Sequence, residues 1–557
     1  MKKNKNSKNN IIAFLLSTIG FAYVVYYIFR ASTNVVTSDY MRIVNNYLYD
    51  VTDLKYLTSI ESISRIPFNF LERFINVKFF KYNVFFDKIL GAFGLFIFNF
   101  ATVKYVLKTI NIRFVKIITS IVITFISFSL MSWEMILNGT GYSHFLTIGL
   151  IAITYYIFDK YDNSTIENNY LNKESEVDAT LDKELSICKS TKNLPVILIL
   201  IIIITSLGFA GQYGVSYNCT LVLFSFIGII VCIYNKTKFL HIKNNNSNQP
   251  NETDIKRTSK NPIKLKKTKV FTYSLIIAVS IVCTSLYMIS NNTGEPLIPV
   301  GFKDITLIEL LKTNPLFPIK FILKSLASSI IGVETFDYAI NFGTITEKII
   351  YMFGIIYVLI ILWTIFIAVK SLTHTRKPIF PFIYVVCGLA NYALIFLARY
   401  KFVRDEYGMT SRYALQYMFL SIGIIMILSM FIDKTIVAAD LNKKDKIEEE
   451  SGSKIRLYTL DYLLNLKFDK KNIIMIFISC ICIFILYFGN VVTSCDEIYK
   501  ADYRKIIYTN LVDIAKNSEN YTDEELSNLF EYHRDPEHIR NTFKILKEQK
   551  LNIFEEK

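Results

Sequence analysis

The sequence predicts an all-α, polytopic transmembrane protein with about 11 helical spans. Three observations lead to this fold class. Hydrophobic residues make up 52% of the 557 residues, and the mean hydropathy is +0.35. Most apolar residues fall in runs of roughly 17–23, long enough for a helix to cross the hydrocarbon of a bilayer. Lys and Arg concentrate in alternate connecting segments, as the positive-inside rule requires of a multi-pass protein.

The first span, Ile11–Phe29, follows a basic head and lacks a small-x-small cleavage site, so we predict an uncleaved anchor with a cytoplasmic N-terminus. Because the number of spans is odd, the C-terminus is expected outside. Segment 321–331 is apolar but short, and we expect a re-entrant or interfacial helix there. The other predicted spans are Ile89–Leu107, Ile117–Met135, Phe145–Phe158, Pro195–Phe209, Leu221–Tyr234, Val270–Ile289, Ile349–Val369, Ile379–Ala398, Ala414–Ile432 and Ile473–Gly489.

Composition divides the chain into four segments. An N-terminal membrane module (1–234) contains a first outer loop (30–87), and a C-terminal membrane module (270–489) contains a second outer loop (290–347). A strongly basic cytoplasmic linker (235–269) separates the modules, and a helical extracytoplasmic tail (490–557) follows the last span. The excess of Asn, Lys and Ile is typical of an AT-rich genome, and we predict a bacterial plasma membrane protein.

One piece of the first outer loop is amphipathic. Apolar side chains recur there at helical spacing, with charged residues between them, at Phe68, Leu71, Phe74 and Ile75. Two interpretations fit this pattern. The helix either lies in the membrane interface with its aromatic face toward lipid, or packs on the protein as a short soluble helix.

Charge and cysteine patterns exclude several classes of function. The formal net charge of +15 resides in the inner loops, so it reflects topology, and we expect membrane lipids and no nucleic acid as partners. The eight cysteines show no paired spacing, which argues against a disulfide framework or a zinc site. The sequence has no dinucleotide-binding loop, P-loop or metalloprotease helix.

Under this topology, three polar clusters face the outer side. Asp39 and Arg42 stand one helical turn apart directly after the first span, the turn 138–144 ends at His144, and the turn 399–413 is rich in arginine and tyrosine. Ionisable groups beside a bilayer are functional candidates by default. Arginine presents planar donors that suit phosphate oxygens, and aromatic faces suit sugar rings.

These residue types suit attack on a phosphate-linked sugar at the membrane surface. Asp39 is the predicted catalytic residue, since a carboxylate can act as general base on an acceptor hydroxyl. Cationic side chains would stabilise the departing phosphate. The predicted substrate-binding residues are Arg42, His144, Arg404, Arg412 and Tyr413.

The chain resembles the GT-C-type membrane glycosyltransferases, and more closely the poorly characterised bacterial members of that superfamily. The resemblance rests on the anchor, the early acid in a long first outer loop, about ten further spans and an outer tail. The stretches that carry it are 133–144, 408–413 and 540–554. It implies a polyprenyl-phosphate-linked sugar as donor, a cell-envelope glycan or lipid as acceptor, and a catalytic acid at Asp39.

Members of this superfamily often carry a second acid beside the first, but Tyr40 occupies that place here. A site for a divalent metal is therefore left open, with Asp50, Asp53 or Asp405 as the possible second ligand. A flippase or transporter of lipid-linked envelope precursors is the alternative function; it would use the same arginines without a general base. An envelope-assembly scaffold that works through the tail is a third.

Overall fold

A computed structural model describes residues 2–48, 51–53, 68–174, 193–209, 213–245, 260–291, 303, 305–335, 345–372, 379–444, 469–532 and 535–555. All regular structure in these ranges is helical, which confirms the all-α class. The longer helices are α1 (Lys2–Ala31), α2 (Tyr40–Tyr47), α3 (Phe68–Phe80), α4 (Val84–Thr109), α5 (Arg113–Ser127), α6 (Trp133–Leu137), α7 (Tyr142–Glu174), α8 (Leu194–Ile203), α9 (Tyr213–Asn245), α10 (Lys260–Asn291), α11 (Leu307–Thr313), α12 (Phe317–Ser328), α13 (Ile345–Leu372), α14 (Ile379–Arg399), α15 (Ala414–Lys444), α16 (Lys470–Lys516), α17 (Asp523–Leu529) and α18 (Pro536–Glu548).

Within these ranges, 10 helices are long and apolar enough to cross a membrane, and each coincides with a predicted span. The chain is therefore a multi-pass membrane protein. The remaining predicted span, Pro195–Phe209, corresponds to an apolar helix of the same length, Leu194–Gly208, which is too short to count among them. At the usual rise per residue it is about 22 Å long, less than the roughly 30 Å hydrocarbon thickness. The α12 helix has 12 residues, too few to cross, as expected for segment 321–331.

The chain forms two compact units whose boundaries differ from the four predicted segments. The first comprises Met1–Leu57, Asn69–Gly149 and Leu297–Lys557, and the second comprises Thr58–Phe68 and Leu150–Pro296. The predicted basic linker, 235–269, lies within the second unit. The composition of a loop indicates on which side of the membrane it lies. The two units instead consist of the helices that pack against each other.

In the second unit, polar and aromatic side chains join the helices. Ser206 donates a hydrogen bond to the side-chain oxygen of Asn218 at 3.1 Å, and the rings of Tyr155 and Tyr217 lie 5.6 Å apart. The Lys269 ammonium donates to the backbone carbonyl of Asp162 at 2.7 Å. These polar groups satisfy one another, so we interpret them as structural.

In the first unit, α1 and α16 run parallel. Tyr27 donates to Glu497 at 3.2 Å, and further along both helices the Arg30 guanidinium pairs with Asp502 at 2.6 Å. The sequence predicted that the last span ends at Gly489, but α16 continues without a break to Lys516. The apolar part of this helix ends at Gly489. The helix continues beyond Gly489 because its following turns pack against α1.

The last part of the predicted tail, residues 517–532 and 535–555 (hereafter the tail), packs on the beginning of the first outer loop. Both segments contribute to one hydrophobic core of fully buried side chains. The tail therefore does not form a core of its own. Members of this shared core include Val36, Tyr40, Met41, Val44, Leu48, Leu526, Phe530, Ile539, Phe543 and Leu546.

The α3 helix points its polar side chains inward and its apolar side chains outward. Asn69, Glu72 and Asn76 are buried, whereas the Leu71 side chain is 50% exposed and the Phe79 side chain 73% exposed. A soluble helix packed on the protein would show the opposite distribution. The arrangement favours the first of the two interpretations above, a helix whose aromatic face meets lipid.

Candidate functional site

Asp39 lies at the start of α2, and the backbone before it has an unusual conformation. Ser38 has a φ of 50°, in the left-handed region, and its amide donates to the backbone carbonyl of Phe530 at 2.9 Å. The Asp39 side chain does not cap α2. Among the described residues, its carboxylate makes no hydrogen bond. Asp39 is therefore a half-buried acid whose oxygens are open to a ligand.

The structure brings together three predicted residues that are far apart in the sequence. Asp39 lies close enough to His144 and to Arg412 for an electrostatic interaction with each. His144 is in the first turn of α7, and Arg412 directly precedes α15. One residue from each of the other two predicted polar clusters thus lies within electrostatic range of Asp39.

Glu134, on α6, joins this group and was not predicted. Its carboxylate forms an ion pair with Arg412 and accepts a hydrogen bond from the Ser411 hydroxyl at 3.0 Å. The signal was present in the sequence, because Glu134 is an acid at the end of a predicted span. The general rule for ionisable groups at a membrane boundary would have selected it.

Arg504, on α16, forms a second cationic centre. Its guanidinium carbon lies 3.3 Å from the centroid of the Trp133 ring, and its nitrogens donate to both oxygens of Glu497 at 3.0 Å. Glu334 also pairs with Arg504. Burial raises the pKa of Glu334 to about 7, although the positive charge of Arg504 opposes this shift. Sequence reasoning did not select this centre, because it assigned the residues after the predicted span end at Gly489 to a helical tail.

Lys88, near the start of α4, is a nearly inaccessible cation. Its side chain is 3% exposed, and its ammonium lies 5.4 Å from the ring centroids of both Phe85 and Tyr508. Tyr508 in turn interacts electrostatically with Arg504 and Glu134. Lys88 forms no hydrogen bond or ion pair with the described residues. It is therefore a cation in contact with the site through aromatic faces alone.

Three donors at or near the site lack an acceptor within the described part of the chain. They are the Lys88 ammonium and the buried nitrogens Nε1 of Trp133 and Nε of Arg42. Buried donors normally find an acceptor, and each exception calls for an explanation. A ligand rich in acceptor oxygens, such as a phosphate or a sugar, would satisfy them.

Glu72 and Asp87 form a buried acid pair next to Tyr40, the residue that follows Asp39. The hydroxyl of Tyr40 donates to Asp87 at 2.5 Å, and the amide of Asn76 donates to the other Asp87 oxygen at 2.7 Å. Burial, together with the nearby Asp87, raises the pKa of Glu72 well above its usual range. A Cβ on Gly139 would lie 1.9 Å from the Tyr40 hydroxyl, so only glycine fits there. Tyr40 is thus held firmly by buried groups directly beside Asp39.

Two predicted binding residues occupy other positions. Arg404 is exposed and makes no side-chain hydrogen bond or ion pair with the described residues. The Tyr413 hydroxyl accepts a hydrogen bond from Nε of Arg399 at 2.5 Å, and the Arg399 guanidinium stacks near three aromatic rings. The structure therefore uses Tyr413 to hold the turn before α15.

Ligands for a divalent metal do not converge in the described part of the chain, where no group of three His, Cys, Asp or Glu side chains comes together. Asp405 is held by the Lys324 ammonium at 2.7 Å, and Asp50 lies outside the described residues. The roles proposed below for individual side chains use no metal.

No protein-family model, curated protein or solved structure matches this chain. The fold and the site nevertheless define a class of protein. It is a multi-pass helical membrane protein with a polar site between its first outer loop, the ends of several long helices and its tail. The unsatisfied groups of the site are one carboxylate and several donors, which suits a ligand with both hydroxyl and anionic groups.

Proposed function

We propose that this protein is a membrane glycosyltransferase of GT-C type. It transfers a sugar from a polyprenyl-phosphate donor to a cell-envelope glycan or lipid acceptor on the outer face of the bacterial plasma membrane. The observation that carries the proposal is the state of Asp39. Its carboxylate has no hydrogen-bond partner among the described residues, while the neighbouring carboxylates of Glu134 and Glu497 are held by arginines.

In this mechanism Asp39 accepts the proton of the acceptor hydroxyl as that oxygen attacks the anomeric carbon of the sugar. The new glycosidic bond forms while the bond from the anomeric carbon to the phosphate oxygen breaks. The polyprenyl phosphate leaves with the bonding electron pair. Arg412 stabilises its growing negative charge directly and the buried Lys88 through its electric field, and a water-poor site makes both more effective.

Aromatic side chains supply the remaining requirements. The Trp133 ring, whose indole nitrogen has no acceptor among the described residues, and the Tyr508 ring offer a sugar the faces that Arg504 and Lys88 leave uncovered. The lipid-facing side of α3, with its exposed Leu71 and Phe79, borders the region from which a polyprenyl chain would approach. The donor and the protein thereby share the same lipid environment.

The direct test is a transfer assay with the purified full-length protein in lipid nanodiscs. Radiolabelled polyprenyl-phosphate sugars and an envelope-lipid extract as acceptor should give labelled product in a time-dependent reaction. A parallel assay in liposomes should show no movement of a fluorescent polyprenyl-phosphate lipid between leaflets. Leaflet exchange without transfer would instead establish the transporter alternative.

A second test concerns orientation. With the N-terminus inside, the first outer loop faces outward and the basic linker faces inward. An Asn46→Cys variant, exposed on α2, should react with an impermeant maleimide on intact cells. A Ser259→Cys variant in the basic linker should react only after permeabilisation, with the parent protein as the background for the native cysteines. The opposite pattern would place the site in the cytoplasm and refute the outer-face reaction.

A further inference from the structure

We propose that the tail is a positioning element of the site, which fixes the direction of the Asp39 carboxylate through the backbone on both sides of it. This inference rests on the proposed function, because it gives Asp39 its catalytic role. It adds that the last helices of the chain are part of the catalytic apparatus, although they supply no group that touches the substrate.

The first contact lies on the N-terminal side of Asp39. Ser38 adopts a left-handed conformation that residues with a Cβ rarely occupy. Its amide donates to the carbonyl of Phe530 at 2.9 Å. Phe530 is fully buried, and its ring packs edge-on against Phe543 at 5.1 Å. A firmly packed tail residue therefore holds the strained backbone that leads into Asp39.

The second set of contacts lies on the C-terminal side. The amide of Asn45 donates to the carbonyl of His538 and to the hydroxyl of Thr542, both at 2.8 Å. The Thr542 hydroxyl donates to the carbonyl of Met41 at 3.1 Å. Thr542 has no exposed surface. Hydrogen bonds thus join α18 to the first turn of α2, the turn that directly follows Asp39.

These contacts matter because the Asp39 side chain is held by no hydrogen bond among the described residues. The position of its carboxylate consequently depends on the backbone of residues 38–42. The tail forms hydrogen bonds with this segment at Ser38 and at Met41. A general base displaced by about 1 Å can lose on the order of 10²-fold in rate. The tail therefore controls turnover more than donor binding, which the arginines and Lys88 provide.

The test uses two matched pairs of variants in the full chain. Thr542→Val removes the hydroxyl with little change in shape, and Thr542→Ser keeps it. Ser38→Val places a β-branched side chain in the left-handed conformation, and Ser38→Gly relieves it. We expect each valine variant to lower kcat by roughly 10–100-fold with an unchanged KM for the donor. The serine and glycine variants should stay within about twofold of the parent protein.

Wild-type kcat in both valine variants would overturn the positioning role, as would a fall in kcat matched by an equal loss of donor binding. If one valine variant fails to fold, the other pair decides. An Asp39→Asn control separates the two proposals. If that control is as active as the parent protein, the proposed function fails; if it is inactive while the valine variants are active, only the positioning role fails.

Discussion

Replacing Asp39 by Asn should lower sugar transfer by roughly 10²–10⁴-fold, the usual contribution of a general base. The amide has the shape of the carboxylate but does not accept the proton of an acceptor hydroxyl at neutral pH. Since Asp39 makes no hydrogen bond with the described residues, the change should leave the fold and membrane insertion intact. Initial rates with saturating donor measure the loss, and a filter-binding assay measures retention of the donor.

Glu519→Gln is the matched control, because this acid is exposed in the tail and has no role in the proposed reaction. It should transfer sugar at the parental rate. An Asp39→Asn protein that also keeps the parental rate would remove the catalytic role and favour the flippase. The flippase would use the same cations to hold a lipid phosphate and would need no base.

Replacing Arg412 by Lys should lower kcat/KM by about 10–100-fold, since a point charge does not reproduce the planar fork of a guanidinium. One nitrogen of that fork engages Glu134, and the guanidinium also interacts electrostatically with Asp39. A lysine at this position can serve one of these groups at a time. Michaelis–Menten analysis with varied donor concentration measures the change.

Arg404→Lys provides the comparison, because Arg404 is exposed and makes no ion pair with the described residues. We expect its kinetic constants to stay within about twofold of the parental values. Equal effects of the two replacements would mean that the turn 399–413 acts through its total charge. Normal kinetics for Arg412→Lys would indicate that this residue contacts lipid headgroups and does not bind the phosphate of the donor.

The spans could be predicted from the sequence because hydropathy over a membrane-length window reports a local property. The agreement is partial at Pro195–Phe209 because hydropathy does not report length. A run of residues can be apolar and still form a helix too short to cross the bilayer. The convergence of Asp39, His144 and Arg412 followed from topology, because all three were assigned to the same face. Their shared side of the membrane limited the space in which they could meet.

The partners of these residues could not be predicted, since they depend on tertiary packing. Nothing in the spacing of Glu134 and Arg412 indicates an ion pair across 278 positions. The helix that carries Arg504 extends beyond its apolar window, so a hydropathy criterion ends it too early. Tyr413 was expected to bind substrate, but whether an aromatic residue faces a ligand or a neighbouring arginine is decided by the fold of the turn.

The shared core of the first outer loop and the tail also has a consequence for biosynthesis. Asn45 and its partner His538 are separated by 493 positions, so the ribosome adds the second about 25–100 s after the first at roughly 5–20 residues per second. During that interval the apolar residues around Asp39, which the proposed orientation places outside, lack the helices that cover them. The newly made loop would therefore depend on a chaperone or on the membrane surface, and a nonsense mutation near the end of the gene would leave it permanently uncovered.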